Sequence, residues 1–89
     1  MPLSFELEQN YPNPFDPSTT MAFSLPRTEH VTLKVFDLLG KEIAILVDET
    51  FSAGRYEVRW EANGVETGTY LYQLRAGDFT ATKKLVLMK

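Results

Sequence analysis

The sequence predicts an all-β fold, an antiparallel sandwich of about seven short strands. Three observations lead there. Apolar residues recur with a period of two in segment after segment. Gly, Asp, Asn and Pro separate those segments at short spacing. No stretch carries the 3.6-residue period of an amphipathic helix.

The elements follow in order. In Ser4–Gln9, Phe5 and Leu7 alternate with Ser4, Glu6 and Glu8. In Thr20–Leu25, Met21, Phe23 and Leu25 face one way. In His30–Asp37, Val31, Leu33 and Val35 alternate with Thr32, Lys34 and Phe36. Glu42–Val47 reads EIAILV, apolar on both faces, and is expected to be buried or interfacial; its β-branched residues and shortness favour strand over helix. Arg55–Glu61 sets Tyr56, Val58 and Trp60 against Arg55, Glu57, Arg59 and Glu61. Thr69–Arg75 puts Tyr70, Tyr72 and Leu74 on one face. Phe79–Met88 is long and ends apolar, LVLM. The separators fit. Asp37 followed by Leu38-Leu39-Gly40 reads as a hairpin with a bulge, because Asp favours the first turn position and Gly supplies positive φ at the exit. Ala76-Gly77-Asp78 is a tight turn, and Pro26 ends its strand because it cannot donate into a ladder.

One local pattern sharpens the fold to immunoglobulin-like. In Glu66-Thr67-Gly68-Thr69-Tyr70-Leu71-Tyr72, an acidic residue, Gly and Tyr stand as they do at a tyrosine corner, where the hydroxyl bonds back to the backbone between strands. Tyr72 occupies the place of the usual Cys. Plain core packing explains Tyr70, Tyr72 and Trp60 equally well.

Composition excludes several function classes. At 89 residues the chain suits one small domain, which buries roughly 60–65% of its surface. There is no Cys and one His, so disulfides, thiolate sites and multi-His metal sites are out. No cofactor is expected. A net charge of −3 gives no reason to expect nucleic acid or an anionic membrane as partner. No apolar run reaches spanning length, and MPLSFELEQ lacks a signal-peptide pattern. Met1 reads as a start codon placed on an excised module, in which case any signal peptide would lie upstream.

Catalytic constellations are absent, so no enzyme is expected. His30 sits in an exposed turn before a strand. Ser18, Ser24 and Ser52 have no nucleophile-elbow context. The glycines stand singly at turns and form no phosphate loop. Asp16, Asp37, Asp48 and Asp78 do not make a calcium loop. Glu57 and Glu61 share their strand face with Arg55 and Arg59, which reads as a solvated face rather than an acid/base pair. For carbohydrate, Phe36, Phe51, Phe79 and Tyr11 are the aromatics not clearly inward.

The segment QNYPNPFDPSTT, residues 9–20, holds Pro12, Pro14 and Pro17 between two aromatics, Tyr11 and Phe15. Each X-Pro pair biases the preceding residue to extended geometry, and Asn13 and Asp16 can cap local turns. A flexible linker would be rich in Gly and Ser. The segment therefore reads as a stiff brace over 9–19, pinned to the sandwich by Phe15 and Tyr11 and needing no ladder bonds.

These residues carry a resemblance. Leu7–Thr20 (LEQNYPNPFDPSTT) resembles the opening of the type A C-terminal sorting domains of the type IX secretion system. The resemblance continues through Val31–Gly40, with Asp37 and Gly40, then Gly54 before a strand ending in Trp60, then Gly68, Tyr70 and Tyr72, then Lys84–Lys89. In its opening block it rests on Tyr11, Pro12, Asn13, Pro14 and Phe15; Asp16 stands where Asn is usual. The resemblance implies a noncatalytic module, residues 1–89, that directs an exported passenger across the outer membrane of Bacteroidetes-like bacteria. The passenger would pass through the periplasm to the medium or cell surface. The partners it implies are the outer-membrane translocation and processing machinery and a covalently preceding passenger domain. No stable membrane insertion is expected, and a monomer is. The last strand, Lys83, Lys84, Leu85, Val86, Leu87, Met88 and Lys89, is the candidate recognition segment: a terminal strand at a sheet edge can add to a receptor sheet. The lysines guard such an edge against aggregation equally well.

Two other readings stay open: an accessory spacer or weak carbohydrate binder in an extracellular enzyme, or an assembly domain. The immunoglobulin-like domain of the flagellar hook-capping protein looks similar in the N-P-F, V-x-D-x-x-G and G-x-Y-x-Y features.

Overall fold

A computed structural model describes residues 3–89. Seven strands, β1 (Glu6–Leu7), β2 (Ser18–Leu25), β3 (Glu29–Phe36), β4 (Glu42–Phe51), β5 (Gly54–Glu61), β6 (Gly68–Ala76) and β7 (Phe79–Leu87), form two antiparallel sheets. One sheet has the order β1-β2-β5, the other β4-β3-β6-β7. The two pack face to face as an immunoglobulin-like sandwich.

The alternation read from sequence is the alternation that packs. Met21, Phe23 and Leu25 of β2, Val31, Leu33 and Val35 of β3, Tyr72 and Leu74 of β6, and Leu85 and Leu87 of β7 are all fully buried between the sheets. Phe23 meets Phe51 and Tyr56 at ring separations of 5.8 and 5.5 Å. Burial of each large side chain contributes roughly 1.5–3 kcal/mol, and with no disulfide this packing carries the fold.

The turns close as their residues dictate. Asp37 Oδ1 accepts from the Leu39 and Lys41 amides, both at 2.9 Å, and Gly40 exits at φ +87°. Gly77 opens the β6–β7 turn at φ +59°, the first position of a type II′ hairpin. The tyrosine corner is present: Tyr70 Oη donates to the Glu66 carbonyl at 2.6 Å.

Three expectations need correction. The first strand is two residues long, and past it the chain keeps to β2 by single contacts, the Glu8 amide donating to the Ala22 carbonyl at 2.8 Å and Tyr11 bridging Thr20. EIAILV is not buried: β4 is the outer strand of its sheet, running ten residues, with register shifts beside Lys34 and Phe36. Ile45 is 53% exposed, and Val47 is the one core residue the segment supplies. The proline segment does make ladder-type bonds. Tyr11 and Thr20 exchange two backbone bonds at 2.9 Å, and Phe15 brackets β7. Phe15 is buried, with its ring 5.8 Å from Trp60, but the Tyr11 side chain is 80% exposed and pins nothing. The Tyr11–Pro12, Asn13–Pro14 and Asp16–Pro17 peptide bonds are cis.

Candidate functional site

The proline segment and the last strand form one structure. β7 ends its sheet, so alternate backbone groups on its outer side have no strand partner. The segment supplies those partners over the C-terminal half. Gln9 Nε2 donates to the Lys84 carbonyl at 2.7 Å. The Val86 amide donates to Asn13 Oδ1 at 2.9 Å. The Phe15 amide donates to the Val86 carbonyl, and the Met88 amide to the Phe15 carbonyl, both at 3.0 Å. Phe15 thus lies beside Leu87 as a one-residue parallel strand. The Pro17 carbonyl also accepts from the Ala62 amide at 2.8 Å, tying the strap to the end of β5.

A buried polar cluster fixes the strap's entry. Asn10 is almost fully buried. Its amide donates to Tyr72 Oη at 2.8 Å, and that hydroxyl donates to the Glu8 carbonyl at 2.7 Å. Asn10 Nδ2 donates to Thr19 Oγ1 at 2.9 Å, and Thr19 Oγ1 donates to the Pro12 carbonyl at 2.9 Å. Gln9 Nε2 closes the cluster on Asn10 Oδ1 at 2.7 Å. No buried side-chain polar atom among the described residues lacks a partner. Burial pushes the Tyr72 phenol up to about 12, against the opposing effect of the Asn10 amide bond.

The sequence-derived residues divide by place. Asn13 and Phe15 meet Val86, Leu87 and Met88 directly. Asp37 and Gly40 form the β3–β4 turn, and Asp37 shares a shallow groove of about 420 Å³ with Gly68 and Tyr70 at one end of the sandwich. Gly54 and Trp60 lie on the other sheet. Leu85 and Leu87 are core, whereas Lys84, Met88 and Lys89 are exposed. Of the aromatics considered for sugar, Phe51 packs against the core and Phe79 stacks on Phe5 at 5.1 Å. Asn10, Thr19 and Gln9 were not foreseen as a unit. Their one sequence signal is a polar pair, Gln9-Asn10, at the mouth of a proline block.

A profile described as the secretion system C-terminal sorting domain matches residues 9–88. It begins at the strap and ends one residue past β7. The chain belongs to the secretion system C-terminal sorting domain family. No match was found among curated proteins or among solved structures. In this sorting domain the residues singled out from the sequence bear on folding: Asp37 caps a turn, Tyr70 makes the corner, and Asn13 and Phe15 close the edge of the last strand. Among the described residues there is no cluster of His, Cys, Asp or Glu able to hold a metal ion, and no helix long and apolar enough to cross a membrane.

Proposed function

We propose that this sorting domain is a noncatalytic address that directs a covalently preceding passenger across the outer membrane through the type IX secretion system. The passenger then passes through the periplasm to the medium or the cell surface. The observation that carries the reading is the family match over residues 9–88, which spans the strap and six of the seven strands. The folded surface is what the machinery would read, with Lys84, Met88 and Lys89 as the exposed part of the terminal segment. Recognition by simple strand addition along Lys84–Met88 would first require the strap to leave, since it already holds those edge groups.

The test is transport. Residues 1–89 are fused behind a signal peptide and a fluorescent reporter in a bacterium with the type IX system and in its translocon-deficient mutant. Reporter outside the cell only in the competent strain is the expected result. Equal periplasmic retention in both, with the domain folded and host cargo still exported, overturns the proposal.

A second reading, weak carbohydrate binding, is favoured by one feature. Exposed Tyr11 borders a shallow groove of about 350 Å³ lined by Gln9, Thr20, Arg55 and Glu57. Oligosaccharide titration followed by Tyr11 chemical shifts tests it.

A further inference from the structure

The two outer faces of the sandwich differ in kind. On the β1-β2-β5 sheet, β1 and β5 point Glu6, Arg55, Glu57, Arg59 and Glu61 outward. Both arginines are paired within the face or beside it: Arg55 with Glu8 at 2.7 Å and Glu57 at 3.5 Å, and Arg59 with Glu61 at 3.3 Å. The outer face of β4-β3-β6-β7 is built otherwise. Phe36 stands opposite Leu71, Leu71 opposite Lys84, and Ile45 opposite Lys34. Val86 lies diagonally from Leu71, within reach across a strand pair. Ile45, Phe36, Leu71 and Val86 thus run diagonally across four strands. None of them belongs to the core cluster or packs against it.

The band continues into the β3–β4 turn. Leu38 is 62% and Leu39 95% exposed. The turn requires Asp37 for its two amide bonds and Gly40 for its positive φ; it requires nothing apolar at the two positions between. The same bonds hold the leucines on a fixed loop, so little order is lost when they are covered. Folding explains neither the leucines nor the band.

Charge says what covers them. The face carries Lys34, Arg75 and Lys84 against Glu42 and Asp48, on a chain of net charge −3. Lys34 pairs with Glu42 at 3.2 Å and Asp48 with His30 at 2.7 Å. Among the described residues Arg75 and Lys84 form no ion pair. His30, Thr32, Lys34, Arg75 and Gly77 line a shallow groove of about 390 Å³ beside the band. Apolar centre with charged rim is the anatomy of a protein interface.

We propose that this outer face, centred on Phe36, Leu71 and the Leu38-Leu39 tip, docks a protein partner whose apolar surface is rimmed by carboxylates that meet Arg75 and Lys84. The inference rests on the sorting reading for the partner's identity: a component of the translocation machinery. It places recognition on the outward side chains of this face, Lys84 of β7 among them, and not on the backbone edge of β7 that the strap covers.

The test uses the same fusion with Leu39→Ser, Leu71→Thr and Lys84→Glu on this face, and Glu57→Lys and Arg59→Glu on the other. All five side chains are exposed or half-buried, and thermal melts confirm folding. Each substitution on the docking face is expected to lower export about tenfold, which corresponds to about 1.4 kcal/mol of lost docking. The opposite-face variants export as the parent does. A photo-crosslinking residue at position 71 should yield an adduct in the competent strain, and one at position 57 should not. If the parent is exported and the three variants are exported equally, or if the adduct forms from 57 and not 71, the docking face is overturned while sorting stands. If the parent itself stays in the periplasm, the sorting reading fails and this assignment falls with it.

Discussion

Replacing Tyr72 by phenylalanine removes one oxygen from the centre of the strap's entry and leaves the ring in place. The phenol of fully buried Tyr72 takes a bond from the amide of buried Asn10 and gives one to the part-buried carbonyl of Glu8. Without it a buried donor and a part-buried acceptor lose their partner together, 62 and 64 residues away in sequence. An unsatisfied buried group costs about 1–3 kcal/mol, so a loss of about 2–3 kcal/mol is expected. For a domain of this size that lowers Tm by roughly 10–20 °C. Urea and thermal unfolding of both proteins at neutral pH measure it. The alkaline limb gives an independent check. Burial raises the folded pKa of Tyr72 to about 12, above the ordinary value of 10. The neutral phenol is the favoured folded form, so its contribution is complete below pH 10 and is lost as pH climbs towards 12. The Tyr72→Phe variant lacks this component, and its stability should fall less steeply over that window. A variant within 0.5 kcal/mol of the parent at pH 7, or one with the same alkaline slope, refutes the reasoning.

Three further outcomes follow from the same geometry. Phe15→Ala removes a buried ring packed on Trp60 and should cost about 3–5 kcal/mol in chemical denaturation. Asn13→Ala removes the acceptor for the Val86 amide; the expected loss is about 1 kcal/mol, with faster hydrogen exchange at Val86 and Met88 than at the β6-paired amides of β7. Gly77→Ala places a Cβ 2.8 Å from the Glu29 carboxyl at φ +59°; the side chain can swing away but the backbone cannot, so about 1–2 kcal/mol is lost, and Gly77→Asn should recover part of it.

The strands were legible because each contributes an unbroken inward row, and burial enforces a period of two wherever one face is covered. The outer place of β4 was not legible, for the same reason, although the strand itself was. Alternation reports which face is covered, not how many neighbours a strand has. EIAILV holds apolar residues on both sides of an outer strand, with two bulges that interrupt the period. The strap's stiffness showed in Pro12, Pro14, Pro17 and Phe15, but its partners did not. Asn10 meets Tyr72, and Asn13 meets Val86, across more than sixty residues, and nothing local encodes such a pairing. The outward apolar band was hidden too. Phe36 and Leu71 stood on the second face of their strands, and only the register brings them opposite each other.

That register also changes what a truncation can mean. Removing Lys84–Lys89 is the obvious way to ask whether the terminal segment is the address. It deletes Leu85 and Leu87, both fully buried, each contributing roughly 1.5–3 kcal/mol. It also strips the strap of every partner it has on β7 and leaves Tyr70 and Gly68 without cross-strand neighbours. The sum is comparable with the whole stability of a domain this size, about 5–10 kcal/mol. The truncated chain is therefore expected to lose cooperative melting, and its failure to be exported would report unfolding. The exposed positions separate the two effects. Met88→Ser and Lys89→Gln leave the core untouched and should melt within about 0.5 kcal/mol of the parent. If these variants fold and are exported normally, the terminal segment acts through the fold it completes. If they fold and are retained, the address includes the exposed end of the strand itself. A truncation that still melts cooperatively would refute the premise that strap and strand hold each other in place.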